Sequence, residues 1–207
     1  MSRLVRTSEI TKLPVVTLAG EDVAQVKDIV YSSDGGAVGG FTLAGRGLLA
    51  GPLKQGVAWT NLLGVGADAV MITDEEALDP VGAVVEAASG DTGGSGGKVL
   101  GSRVLTESGV DLGSVVDVVL QFDEGTGSGP GPCDVVGYEI EASETLAAKS
   151  SKGAKGTKLL IPLPDTVAVS GEHLMVPSGA EGFVTQDLAG FGAAVAAFRA
   201  QLEEGRS

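Results

Sequence analysis

One stretch near the N-terminus decides the fold: Leu13-Pro-Val-Val-Thr-Leu-Ala-Gly20-Glu-Asp-Val-Ala-Gln-Val26-Lys-Asp28-Ile-Val30. It predicts two strands, Val15–Leu18 and Val23–Tyr31, joined by a short polar turn. Gly20 lies in that turn, where a tight hairpin needs a residue that tolerates positive φ. The stretch therefore predicts an antiparallel β-hairpin, followed by a further strand over Ala37–Leu43.

The same pattern recurs in the second half of the chain. Gly20 corresponds to Gly109, Val26 to Val115 and Asp28 to Asp117 when the two stretches are aligned. The recurring blocks, in the same order, are 13–30 with 100–119, Val38–Leu43 with Val135–Ile140, and Gly66–Met71 with Gly171–Val176. An ordered set of matched blocks predicts two copies of one small β domain.

Composition and turns divide the chain further. The Gly- and Ser-rich segment around 90–97 reads as a flexible linker, and the second half carries two polar inserts, 123–132 and 147–158. The spacing predicts domains at 1–85 and 98–178, a linker at 86–97, and a C-terminal amphipathic helix at 183–204. The fold class is mainly β, because several short strands lie between closely spaced turns.

These residues resemble the PRC-barrel family, a small β-barrel. The resemblance rests on the blocks already quoted, together with Arg46-Gly-Leu-Leu-Ala-Gly-Pro-Leu53 and Val57-Ala-Trp59. It is good over roughly residues 8–75 and weaker over 98–177, where the inserts interrupt it. It implies two PRC-barrel-like β-barrels in tandem with a C-terminal α-helix, and a non-catalytic docking or assembly role, because family members are mostly assembly, docking or stability modules.

Charge and residue supply narrow the function classes. The chain has 14 Lys and Arg against 27 Asp and Glu, a formal net charge of −13. This disfavours nucleic acid as a partner, since a nucleic-acid binder needs cations to displace phosphate counterions. Cys133 is the only cysteine and His173 the only histidine, so we expect no metal, no cofactor and no enzymatic activity.

The N-terminal residues Met-Ser-Arg-Leu-Val-Arg-Thr7 contain no apolar run typical of a signal peptide. No stretch of about 18 apolar residues occurs either, so we expect no membrane span. The sequence therefore predicts a cytoplasmic protein.

Two segments are candidate partner-binding sites. The first is the loop with Arg46, Leu48, Leu49 and Leu53, because an exposed apolar loop often marks a contact with a partner. The alternative is that this loop folds onto the other barrel or caps the core of its own.

The second is the helix that carries apolar residues at alternating steps of three and four: Leu188, Phe191, Val195, Phe198 and Leu202. Two uses of this helix stay open, docking on the protein's own barrels and capture of a partner or a second copy.

A basic loop stands out in this acidic chain. Its cations are Lys149, Lys152, Lys155 and Lys158. They are candidates for binding an anionic ligand such as RNA, an acidic lipid surface or an acidic partner, and a solvated loop is the alternative.

The favoured hypothesis is thus a non-catalytic adaptor that binds an unidentified protein, with a second copy of the chain as one alternative. Two other hypotheses remain: a ribosome- or RNA-linked maturation factor that uses the basic loop, and a self-associating structural protein.

Overall fold

A computed structural model describes residues 2–32, 36–47, 50–89, 99–123, 129–149, 156–163, 168–169 and 173–205. The chain forms two compact units, one made of residues 1–96 and 121–134 and the other of 97–120 and 135–207. It is mainly β and carries a C-terminal helix, so the predicted fold class is confirmed. The elements, in chain order, are β1 (Arg3–Arg6), α1 (Thr7–Ile10), β2 (Pro14–Thr17), β3 (Asp22–Tyr31), β4 (Val38–Ala44), β5 (Pro52–Ala58), β6 (Leu62–Val65), β7 (Val70–Ile72), β8 (Leu78–Pro80), α2 (Val81–Ser89), β9 (Arg103–Thr106), β10 (Asp111–Phe122), β11 (Cys133–Ala142), α3 (Glu144–Lys149), β12 (Lys158–Pro162), β13 (Ala168–Val169), β14 (His173–Val176) and α4 (Leu188–Glu204).

The sheet of the first unit has the strand order β6-β7-β2-β3-β4-β5-β8. Its neighbouring strands are antiparallel except for β2 and β7, which are parallel. The predicted hairpin is β2–β3. Both ends of β2 and the start of β3 differ from the prediction by one residue, and the end of β3 agrees with it. The core residues with no exposed surface include Val15, Phe41, Leu43, Val57 and Ile72, and each contributes roughly 1.5–3 kcal/mol by its removal from water.

The sheet of the second unit, β13-β14-β9-β10-β11-β12, repeats the first six positions of this order, and β1 pairs with β10 outside it. The parallel pair again joins the first strand of the hairpin to a later strand, here β9 to β14. The hairpin turns agree in detail. Gly20 and Gly109 have φ of 85° and 80°. The hydroxyl of Thr17 accepts from the Glu21 amide at 3.2 Å, and that of Thr106 accepts from the Val110 amide at 3.0 Å.

The structure corrects one part of the sequence alignment. The alignment set Val70 against Met175, but Val70 pairs with Val15 whereas Leu174 pairs with Val104, the counterpart of Val15. Val70 therefore corresponds to Leu174. The reason is the alternation of a strand, since a slip by one residue would turn the buried Val70 and Leu174 onto the opposite face.

A helix follows the last strands of each unit and packs where a glycine leaves room. A Cβ added to Gly40 of β4 would lie 2.9 Å from a methyl group of Val84 in α2. At Gly137 of β11, the counterpart of Gly40, it would lie 2.3 Å from the Phe191 ring of α4. Both α2 and α4 are thus held close to a strand backbone by a missing side chain.

Sequence analysis missed α2. This helix runs to Ser89, so it extends into the predicted linker at 86–97, of which residues 90–97 lie outside the described ranges. The helix is short, and Glu86 is its only charged residue. Such a sequence lacks the polar face that makes an amphipathic helix recognisable.

Residues 121–134 depart from the repeat. The sequence analysis treated most of them as an insert of the second domain, but they belong to the first compact unit. The strands β10 and β11 carry the chain into that unit and back, and β1 pairs with β10, whose last residues are Gln121 and Phe122. The first unit is therefore built from two separate parts of the sequence.

The contact between Gly137 and Phe191 yields a prediction. Gly137→Ala should lower the free energy of unfolding by about 1–3 kcal/mol, because the new methyl group would also lie 2.5 Å from the Ile161 carbonyl oxygen. Urea unfolding followed by circular dichroism measures the loss. Gly182→Ala is the matched control, since nothing lies within 4 Å of its added Cβ. Equal stability of the two variants would contradict the proposed steric role.

Candidate interaction surfaces

The C-terminal helix packs against its own unit. The Asp187 carboxylate caps α4 by accepting a hydrogen bond from the Gly190 amide at 2.9 Å. Phe191, Val195 and Phe198 are all buried. The Phe198 ring lies 5.2 Å from that of Phe183, centroid to centroid.

Of the two uses that the sequence left open for this helix, the structure shows packing on the sheet of the helix's own unit. Phe191, Val195 and Phe198 are therefore not available to a partner as the sequence analysis had proposed, and only Leu188 and Leu202 keep part of their surface in water. The helix presents small side chains to solvent instead: Ala189, Ala193, Ala196, Ala197 and Ala200.

The predicted partner-binding loop is held at both ends. The Arg46 guanidinium forms an ion pair with the Asp22 carboxylate at the start of β3. The Gly45 amide donates to the Gly51 carbonyl at 3.1 Å, which closes the loop. Leu53 is half-buried in β5, and Leu48 and Leu49 lie outside the described residues.

The structure describes two of the four candidate lysines, Lys149 and Lys158. Lys149 is the last residue of α3, whereas Lys152 and Lys155 lie outside the described residues. Lys158 begins β12, where its ammonium group is 3.7 Å from the carboxylate of Glu139, a buried residue. Lys158 therefore neutralises an acid of its own sheet.

The acids that correspond in the repeat have local structural roles. The Asp28 carboxylate accepts from the Ile29 amide at 3.0 Å, and the Asp117 carboxylate accepts from the Val118 amide at 2.8 Å. Each bonds the residue that follows it, and Asp28 does so next to the irregularity of β3 between Val26 and Asp28. The only histidine, His173, begins β14 opposite Arg103 of β9. Within the described ranges, no group of three or more His, Cys, Asp or Glu side chains could hold a metal ion.

An aromatic cluster in the first unit was not predicted as a site. Trp59, half-buried in the 3-10 helix after β5, lies 5.9 Å from the Phe41 ring and 5.7 Å from the Phe122 ring. Its indole N–H donates to the Gly131 carbonyl at 3.1 Å. The Arg3 guanidinium lies over the Phe122 ring, 5.2 Å from the centroid. The signal that could have revealed the cluster is the single tryptophan of the chain.

The only thiol belongs to the same unit. Cys133 is 2% exposed. Burial raises the pKa of its thiol above the ordinary value, and the carboxylate of Asp134 adds to the rise. The thiolate is the reactive form of cysteine, so Cys133 is unreactive while it stays buried.

Few large apolar side chains of the described residues are exposed. Leu18, in the turn after β2, is 67% exposed, Val85 of α2 is 42% exposed, and Leu100 before β9 is 57% exposed. Single exposed apolar side chains are common on proteins. They are nonetheless the apolar groups that a partner could bury without unfolding the chain.

The packing of α4 predicts a graded response to truncation of its side chains. Phe198→Ala should cost about 3–5 kcal/mol of unfolding free energy, because it removes a fully buried ring. Leu202→Ala on the same helix should cost about 1 kcal/mol, since Leu202 is only half-buried. Thermal unfolding of both variants measures the difference. Equal losses, or a native-like Phe198→Ala variant, would contradict the docking of α4 on its own barrel.

Comparison with known proteins finds a family match for part of the chain. No curated protein matches the chain. No helix in the described part of the chain has the length and apolarity to cross a membrane. The model of the PRC-barrel domain matches one region, which confirms the resemblance seen in the first half and leaves the second half unmatched. Residues 3–78 match the PRC-barrel domain. They contain β1 to β7 and the Trp59 cluster's Arg3, Phe41 and Trp59.

Proposed function

We propose that this chain is a non-catalytic interaction and assembly module built of two PRC-barrel-like domains in tandem. One observation carries the proposal of a second domain: six strands follow the same order in both units, and the corresponding strands β2 and β9 each pair in parallel with a later strand. In both, a helix packs on the same glycine, Gly40 or Gly137. The two units agree in strand order, in parallel pairing and in the helix contact. This agreement favours a common fold over chance.

The non-catalytic role is supported by how the charged side chains are used. Asp22 forms an ion pair with Arg46. Asp111, which corresponds to Asp22 in the second unit, forms an ion pair with Arg103. These pairs lie at the start of the long hairpin strand in each unit, where they hold chain segments together. With one histidine and one cysteine in the chain, the residue types that most often transfer protons or attack substrates are scarce.

The kind of partner follows from charge and surface. A net charge of −13 repels polyanions over distances of about a Debye length, roughly 8–10 Å. Among the residues that the structure describes, the exposed large apolar side chains are Leu18, Val85 and Leu100. A protein surface with apolar pockets would remove them from water, and we propose such a protein as the partner. A second copy of this chain is one possible case of it.

The RNA-linked alternative has less support. Of its four candidate lysines, Lys158 is paired with Glu139. The cytoplasmic location expected from the sequence stays a prediction.

Capture from a native cell extract tests the proposal. Leu18→Glu and Val85→Glu, made separately, should leave thermal stability unchanged because both side chains are exposed. At least one of them should weaken capture of a protein about tenfold, since burying such a side chain is worth roughly 1.5–3 kcal/mol. Gln55→Glu is the matched control for the added charge on an exposed residue.

The salt dependence of capture separates the two hypotheses. Apolar docking should change little between 50 and 200 mM salt, whereas binding through several phosphate contacts falls roughly a thousandfold or more over that range. Steep salt dependence together with loss of capture after nuclease treatment would refute the proposal in favour of the RNA-linked role. Turnover of a substrate that is lost in His173→Ala would refute the non-catalytic role.

A further inference from the structure

Both units contain the same β-bulge next to the first strand of the hairpin. In the first unit the Lys12 amide donates to the Val26 carbonyl at 2.7 Å, and the Val26 amide donates to the Leu13 carbonyl at 2.9 Å. Two residues, Lys12 and Leu13, therefore lie opposite the single residue Val26. This arrangement is that of a G1 bulge, whose first residue has positive φ and is usually glycine.

The second unit has the glycine that such a bulge favours. The Gly101 amide donates to the Val115 carbonyl at 2.8 Å, and the Val115 amide donates to the Ser102 carbonyl at 3.0 Å. Gly101, with φ of 87°, corresponds to Lys12, with φ of 77°. The same backbone bonds form at the same place in both units, so the bulge itself requires no lysine.

The backbone conformation of Lys12 is unusual. Among the residues that the structure describes, Lys12 is the only one other than glycine with positive φ. This left-handed region is unfavourable for a residue with a Cβ atom, and such outliers are concentrated at functional sites. The second unit has glycine at this position, so the reason for a lysine in the first unit lies in its side chain.

A second lysine lies next to the bulge. Lys27 directly follows Val26, and both Lys12 and Lys27 are exposed. Val116 corresponds to Lys27 in the second unit, so neither cation is repeated there. The two side chains start from neighbouring backbone positions on flexible four-carbon stems, which lets both ammonium groups reach one anion.

The acids of the described residues leave Lys12 and Lys27 without an ion pair. The carboxylate of Asp28, the acid next to Lys27, accepts from the Ile29 amide at 3.0 Å. Within the described ranges, the cations that form ion pairs are Arg6, Arg46, Arg103 and Lys158. Two like charges on neighbouring backbone positions favour the binding of an anion, because it offsets their mutual repulsion.

We propose that Lys12 and Lys27 form a binding site for an anionic group, a carboxylate or a phosphate, on a segment of the protein partner. The net charge of −13 repels a polyanion such as RNA, whereas a short acidic segment brings few charges and meets the two cations locally. This inference rests on the proposed interaction role. It adds an acidic or phosphorylated segment to the apolar pockets expected of the partner.

One substitution separates the binding role of the Lys12 side chain from the needs of the backbone. Lys12→Gly should raise the melting temperature by about 2 °C, because glycine adopts positive φ without strain. The same change should weaken binding of the anionic segment about three- to fivefold, as expected for the loss of one exposed ion pair. A melting temperature below that of the native chain would assign Lys12 to the fold and overturn the proposal.

The probes are three short peptides added to the isotopically labelled full chain. One carries four glutamates, the second has a single phosphoserine as its only charged residue, and the third has glutamine in place of every glutamate. The first or the second should shift the NMR signals of the Lys12 and Lys27 amides, and the stronger binder identifies the anion as carboxylate or phosphate. The glutamine peptide should leave these signals unchanged. No shift with either anionic peptide would refute the site.

Variants of the two lysines test whether the shifts report on their charges. Lys27→Gln should weaken peptide binding about three- to fivefold, and Lys12→Arg should retain it because the charge is kept. Lys54→Gln is the matched control, since it removes another exposed cation of the first unit and should leave binding unchanged. An equal loss in Lys54→Gln and Lys27→Gln would show a response to net charge alone and refute the site.

Failure of this site is distinguishable from failure of the interaction role. Capture of a protein that depends on Leu18 or Val85, without any peptide effect on the Lys12 and Lys27 amides, would refute the anionic site and leave the interaction role standing. Peptide binding that depends on both lysines, without any captured protein, would support the site and count against the adaptor role.

Discussion

The close approach of a helix to a strand backbone is the constraint on which the rest of each unit depends. At Gly40 and at Gly137, any side chain would occupy space that the helix fills, and it would also meet a backbone carbonyl of the next strand within 2.5 Å. The missing Cβ therefore lets sheet and helix share one core. In the second unit this places a whole phenylalanine ring, that of Phe191, on the sheet. Without this close packing of α4, Phe198 and Val195 would have no sheet to pack against. A small sheet alone has little core to stabilise it.

The two units share the residues that the backbone of the hairpin turn requires, and they differ in their surface interactions. The buried threonine of the hairpin turn and its positive-φ glycine are kept in both, since the turn geometry allows few alternatives. The acid at the start of the hairpin strand also recurs, but its partner is Arg46 from a loop in one unit and Arg103 from a neighbouring strand in the other. The halves differ most at residues 121–134, which belong to the first unit and include Phe122 of its aromatic cluster.

Charge and apolar surface play different parts in the proposed interaction role. The excess of acids sets which molecules approach, and it acts against polyanions. The binding energy has to come from apolar groups, of which the described surface exposes few large ones. A protein that exposes little apolar surface in its unbound state avoids non-specific association.

The sequence by itself determined the strands, the turns and the repeat. Alternating apolar residues and a glycine in a tight turn act over a few neighbouring positions, so β2, β3 and β4 could be predicted to within a residue, and α4 from its spacing of three and four. It also supplied the family resemblance of the first half, which the match over residues 3–78 confirms. Three things depended on tertiary structure. The face of α4 was visible in the sequence, but its docking partner was not, because an apolar stripe has the same pattern whether it covers its own barrel or another chain. The sequence alignment placed β14 one residue out of register, because only the pairing with β9 fixes which side chains point inward. The Trp59 cluster joins residues from both halves of the chain, Arg3, Phe41 and Trp59 with Phe122 and Gly131, and no local pattern encodes a contact between residues so far apart.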